Sequence, residues 1–272
     1  AKCADQQNTH CGMLMHRRKL MELLTVQNLS KQFVRGHQVF KAVDDVSFSI
    51  AQGECLGLVG GSGCGKSTTA NMIARLLKES SGTILFDGKE LTGSRRLMPA
   101  GSAMQMIFQN PLDSFDPRDT VLQGVMQGAL SYHMYMRDEL EQKALELFDY
   151  VGLKQSYADK KLSQLSGGEC QRAAVARALI CKPKLLICDE ATSALDVLIQ
   201  AQIVDLLKRL KQEQNMSMLF ITHDLPIAAV LCDRAAVMHK GKIIEAGETK
   251  ALLNEPQHEQ TRNLIASVLT IR

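Results

Sequence analysis

Residues 55–68 read Cys55-Leu56-Gly57-Leu58-Val59-Gly60-Gly61-Ser62-Gly63-Cys64-Gly65-Lys66-Ser67-Thr68. The opening apolar run suits a strand buried on both faces of a parallel sheet. Beyond the glycines, Ala70, Ile73, Ala74 and Leu77 share one side of a helix predicted over 66–77. Strand, glycine-rich loop and helix form the context in which G-x-x-x-x-G-K-[S/T] makes a phosphate cradle. Successive main-chain N–H groups curl around an anion only where no side chain obstructs the approach. The positive end of the following helix adds field at the same point. The Lys66 ammonium then reaches β- and γ-phosphates, and the Ser67 hydroxyl is placed to ligate Mg²⁺. Gly60, Gly61, Ser62, Gly63, Cys64, Gly65, Lys66, Ser67 and Thr68 are therefore the candidate nucleotide-binding residues. Cys64 admits two readings, a small filler or a thiol made reactive by the helix terminus behind it.

A second stretch, Leu185-Leu186-Ile187-Cys188-Asp189-Glu190, is an apolar run ending in two carboxylates. It places them at the carboxyl end of a buried strand, where open α/β sheets hold ligands. Asp189 suits Mg²⁺, directly or through water, and Glu190 suits polarising an attacking water. A third stretch is Leu165-Ser166-Gly167-Gly168-Glu169, ahead of a helix with Ala173, Ala176, Leu179 and Ile180 on one face. Ser166 and Glu169 have the spacing of a capping box. Two consecutive glycines at a helix start are nevertheless costly unless something approaches the backbone closely.

Around these stretches, residues 22–50 have strand-and-turn texture, with Arg35-Gly36 as a hairpin turn. Further strands are predicted over 83–86 and 104–108. Between 110 and 165 the spacing turns helical, through Val121, Leu122, Val125, Met126 and Ala129, then Leu140, Ala144, Leu147 and Val151. Met126, Met134 and Met136 read as core or contact filler. From 166 onward helices alternate with strands at 185–188 and 218–222, and a hairpin turns around Lys240-Gly241-Lys242.

Lys plus Arg number 32 against 29 Asp plus Glu among 272 residues, a net charge of +3 that argues against a general nucleic-acid binder. Aromatics make up 4% with no Trp, so stacking platforms for single strands are not expected. No apolar run approaches the ~18 residues needed to cross a bilayer. The first twenty residues are basic in places but hold no apolar h-region, so a secretory signal is not expected. The eight cysteines form no CxxC pair and read as reduced, mostly buried thiols of a cytosolic protein. Cys3, His10, Cys11 and His16 match no standard zinc spacing and read as a terminal extension.

With the complete phosphate-loop motif, residues 165–169 resemble the LSGGQ signature of the ATP-binding subunits of ABC transporters, Glu169 standing where that family usually has Gln. The resemblance implies an α/β fold, a P-loop NTPase core with an antiparallel β subdomain and an inserted α-helical subdomain. Residues 1–21 read as a poorly ordered extension, and the resemblance implies one nucleotide-binding domain over 22–272, with core 22–109 and 166–272 and helical subdomain 110–165. The cofactors implied are ATP and Mg²⁺. Gln109 resembles the Q-loop glutamine beside the Mg²⁺ and water site, and Asp196, in Ser193-Ala194-Leu195-Asp196, resembles the D-loop at a dimer interface. His223 resembles the switch histidine that contacts the γ-phosphate, and Asp224 would cap the next helix. Phe33 resembles the aromatic that stacks on adenine, with Phe40 a competitor. In that family Ser166, Gly167, Gly168 and Glu169 complete the nucleotide site of a partner cassette.

Residues 110–118, 196–203 and 255–262 are similar to segments of peptide and nickel importer ATPases. That likeness implies an ATP-hydrolysing subunit for import of peptides or of nickel and metal chelates, peripheral on the cytoplasmic face of the membrane. It implies a head-to-tail dimer with a second ATPase subunit, identical or different, two integral membrane permease subunits, and indirectly a substrate-binding protein, with no nucleic acid. A nucleic-acid machine of the same class would insert long coiled coils or a second nucleotide domain. A P-loop kinase or GTPase has no use for the stretch at 165–169.

Overall fold

The computed structural model describes residues 22–36, 38–93, 101–192 and 195–269. The extension 1–21, with Cys3, His10, Cys11 and His16, lies outside them, as do Ser193 and Ala194. Among the described residues, ten strands and eight α-helices follow in order: β1 Glu22–Arg35, β2 Gln38–Ala51, β3 Cys55–Val59, α1 Lys66–Ile73, β4 Ser81–Phe86, β5 Lys89–Glu90, β6 Met104–Ile107, α2 Val121–Ser131, α3 Arg137–Val151, α4 Gly167–Leu179, β7 Leu185–Asp189, α5 Val197–Gln214, β8 Ser217–Thr222, α6 Leu225–Leu231, β9 Arg234–His239, β10 Lys242–Glu248, α7 Thr249–Asn254 and α8 Glu259–Leu269.

Two sheets result. One is antiparallel, in the order β2-β1-β4-β5, and the other has the order β10-β9-β3-β8-β7-β6. In the second, β9, β3, β8, β7 and β6 run parallel and β10 is antiparallel to β9. Every residue of β3, β7 and β8 is buried, which is why their sequences show continuous apolar runs rather than alternation. Alternation survives in which core each side chain enters. Cys55, Val59, Leu186, Cys188, Met218 and Phe220 join the helices α2 to α6 on one face. Leu56, Leu58, Leu185, Ile187, Leu219 and Ile221 join α1 and the antiparallel sheet on the other.

The helical stretch is seated on α4. Leu140, Ala144, Phe148 and Val151 of α3 and Val121, Val125 and Ala129 of α2 are buried with Ala173, Val175, Ala176 and Leu179 of α4. Thr120 caps α2 in a reciprocal box with Gln123. Of the three methionines read as filler, Met126 is buried and Met134 packs on this core, whereas Met136 is exposed.

The helix predicted over 66–77 stops at Ile73. Arg75 takes the left-handed conformation, φ 61°, and pairs with Glu79 at 2.7 Å while both side chains are nearly buried. The N–H groups of Leu76 and Leu77 both turn back to the Asn71 carbonyl. The turn at Gly36 (φ 62°) joins β1 to β2, where Phe33 lies directly opposite Phe40.

Candidate functional site

Four neighbouring strands, β3, β8, β7 and β6, each end at a residue singled out from the sequence. The glycine loop follows β3, His223 follows β8, Asp189 closes β7 with Glu190 next, and Gln109 lies just past β6. Parallel strands bring their carboxyl ends to one edge, so residues far apart in the chain converge there.

The loop is shaped by contacts a side chain would forbid. A Cβ at Gly65, the left-handed N-cap of α1 (φ 110°), would lie 2.3 Å from the Ala42 carbonyl oxygen. A Cβ at Gly61 or Gly63 would meet nothing within 4 Å, so that side of the loop is open for an anion to reach the main chain. Lys66 is 4% exposed, and its Nζ donates to the carbonyls of Gly60 (2.8 Å) and Gly61 (3.0 Å). Cys64 is buried beneath Gly60 with its Sγ 3.9 Å from that ammonium, the placement a filler requires.

The carboxylates stand beside the cation. Glu190 Oε1 is 4.0 Å from Lys66 Nζ and 3.6 Å from His223 Nδ1, and Gln109 Nε2 donates to Glu190 Oε2 at 3.2 Å. Glu190 itself is left-handed, φ 46°, a conformation costly for a residue with a Cβ and held where the surroundings over-determine it. The Ser67 hydroxyl donates to Asp189 Oδ1 at 2.9 Å. Burial pushes the Asp189 carboxyl above the ordinary range, the Glu190 charge adds to this, and Ser67 and Lys66 oppose it. A desolvated carboxylate with an adjacent hydroxyl is a hard-oxygen donor set. It fits Mg²⁺, which takes one or two protein oxygens and fills the rest of its shell with water and phosphate.

The second glycine pair starts α4. Ser166 Oγ accepts from the Glu169 N–H (3.4 Å), and Glu169 Oε2 accepts from the Ser166 N–H and hydroxyl, both at 2.8 Å. Those bonds hold the Glu169 carboxyl below its usual range, so Glu in place of Gln completes the capping box. The close approach expected at these glycines is partly internal. A Cβ at Gly168 would lie 2.5 Å from Ile199 Cγ2 of α5, whereas at Gly167 the nearest atom is Leu195 Cδ2 at 3.7 Å. Gly168 is buried and Gly167 exposed.

The remaining candidates divide between local caps and open surface. Asp196 caps α5 by accepting from the Ile199 N–H at 3.0 Å, and Val197 and Leu198 after it are 82% and 69% exposed. Asp224 caps α6 through the Ile227 N–H. Phe33 and Phe40 are both exposed, with Lys31 Nζ 5.2 Å from the Phe33 ring centroid. One group escaped the sequence reading: Gln171, a fully buried polar residue on α4. Its only signal was a polar position between Cys170 and Ala173 on an otherwise apolar face.

A family model for ABC transporters matches residues 43–193. The oligopeptide transport ATP-binding protein OppF of Bacillus subtilis (strain 168) is 42% identical over 252 residues, 91% of this chain and 82% of that protein. OppF of Escherichia coli (strain K12) is 42% identical over 234 residues, 85% of this chain and 70% of that protein. Among solved structures, the dimeric post-hydrolysis state of the ATP-binding cassette MJ0796, bound to ADP and Pi, matches with a TM-score of 0.77 at 28% identity, covering 83% of this chain and 98% of that one.

Proposed function

Because the chain belongs to the ABC transporter family and is an ATP-hydrolysing cassette, we propose that it powers a peptide importer as one half of a head-to-tail pair of cassettes. The observation that carries the mechanism is the convergence of Lys66, Asp189, Glu190, Gln109 and His223 at the ends of four adjacent strands. Peptide is favoured over nickel or metal chelates as cargo because both OppF relatives are oligopeptide transport proteins.

In this reading ATP enters the loop 60–68 as substrate, and Lys66 exchanges its two loop carbonyls for phosphate oxygens. Ser67 and Asp189, aided by Gln109, would hold Mg²⁺, whose chemistry there is neutralisation of charge on the transferred phosphoryl group. Glu190 polarises the attacking water and Gln109 orients it, while His223 donates to the γ-phosphate. Phe33 offers the adenine a stacking face, with Phe40 across the hairpin as the alternative. Ser166, Gly167, Gly168 and Glu169 present a helix N-terminus to the triphosphate of the opposing cassette. The exposed Asp196-Val197-Leu198 corner of α5 lies where the two cassettes would meet. Residues 22–272 act as one nucleotide-binding unit, and 110–165 carry its movement to two membrane subunits served by a substrate-binding protein. No helix among the described residues is long and apolar enough to cross a membrane, and the proposed seat is peripheral, on the cytoplasmic face.

Purification of the tagged chain from detergent-solubilised membranes tests the transport reading. Two integral membrane proteins are expected to accompany it. Recovery with ribosomes or DNA instead would replace transport with a nucleic-acid role.

A further inference from the structure

Helix α4 buries two side-chain donors that meet no acceptor among the described residues, the Gln171 amide nitrogen Nε2 and Arg177 Nε. Gln171 is 1% exposed and stands one turn past Gly167. It lines a groove of about 380 Å³ together with Gln109, Leu112, Gly167, Ala191 and Leu195. The Arg177 guanidinium lies 5.8 Å from the centroid of the Phe115 ring, at the far end of the same 109–115 segment. Both donor-bearing side chains therefore border the segment that carries Gln109, Gln171 across the groove and Arg177 at Phe115. Buried donors without acceptors are costly and rare in native proteins. A second seat for the segment, with its main-chain carbonyls against these donors, removes that cost.

We propose that Gln171 is a positioning residue for Gln109. When the cassette closes on nucleotide, the Gln171 amide donates to a main-chain carbonyl of residues 109–112 and fixes the Gln109 side chain against Glu190, to which it already donates at 3.2 Å. The helix that presents Ser166 outward thereby sets Gln109 inward, so engagement of the glycine turn and readiness of the water site are linked through one rigid element. The inference rests on the role of Gln109 given above.

The test compares the full-length chain with Gln171→Met, Gln109→Ala and the double variant, by Mg²⁺-dependent ATP hydrolysis and by melting without nucleotide. Wild-type turnover and its loss in Gln109→Ala examine the underlying reading and are scored first. Gln171→Met, which replaces the unmatched amide with an apolar group of similar length, is expected to melt at or above wild type. Its kcat falls about tenfold with KM for ATP within about twofold, and the double variant is no slower than Gln109→Ala alone. Wild-type kcat in Gln171→Met, a melting temperature that falls along with kcat, or a double variant slowed by both factors multiplied would each overturn the proposal.

Discussion

Asp189 is held in a conflict between burial and its bond to Ser67. Its carboxyl is raised by burial, so the folded chain takes up a proton more readily than the unfolded chain, whose carboxylate titrates near its ordinary value. Its contribution to stability is therefore most favourable below the unfolded value, and falls as pH rises through the raised folded value. Above that raised value the ionised group costs stability. Asp189→Asn should raise the melting temperature at pH 7 without nucleotide, with the gain shrinking toward acid pH. The same change should slow hydrolysis by roughly 10²-fold or more, because a metal ion supplies several kcal/mol of charge stabilisation. A lower melting temperature at pH 7 would show that the Ser67 bond outweighs the desolvation.

At the scale of elements, the start of α4 separates what packing demands from what a partner demands. Gly168→Ala drives a methyl group to 2.5 Å from Ile199. Overpacking of that kind costs about 1–3 kcal/mol, more than the ~0.5–1 kcal/mol a helix gains from Ala over Gly. Gly167→Ala meets only Leu195 at 3.7 Å and should leave melting unchanged or slightly raised. On the outward face its methyl group would stand between the turn and an incoming triphosphate, and hydrolysis should fall about tenfold, the loss of one ~1.4 kcal/mol contact. Thermal melts and steady-state hydrolysis on both variants check this. Equal activity in Gly167→Ala and wild type would remove the turn from the site.

The elements also explain what could be read in advance. Strands β3, β7 and β8 were legible because burial on both faces leaves an unbroken apolar run. The glycine loop was legible through its local spacing, although Gly60 and Gly65 also answer the main chain of Met238 and Ala42, far away in sequence. The break of α1 at Arg75 was not, since it depends on a left-handed turn and a pair with Glu79. Nor was the Ile199 contact at Gly168, or the Ser67–Asp189 bond across 122 positions of chain. Such contacts come from the order in which strands assemble, which no local spacing encodes.

For the molecule as a whole, the exposed Val197 and Leu198 stand in the same first turn of α5 as Ile199, which packs on Gly168. Apolar groups grouped on a surface mark contact with another chain more often than they stabilise the fold. Leu198→Asp should therefore change stability by no more than about 0.5 kcal/mol, yet abolish ATP-dependent pairing in light scattering with Mg²⁺ present. Pairing that survives would place the contact elsewhere.

Hydrolysis in the proposed pair depends on a nucleotide shared between two cassettes. Glu190→Gln removes the group proposed to polarise water, a step worth about 10²–10⁴-fold, while leaving the glycine loop intact, so ATP should be held and not turned over. The structure of this variant assembled with Mg²⁺ and ATP is predicted to show the γ-phosphate between Lys66 of one cassette and the serine–glycine turn of the opposing one. A triphosphate enclosed by a single chain, with Ser166 facing water, would contradict it.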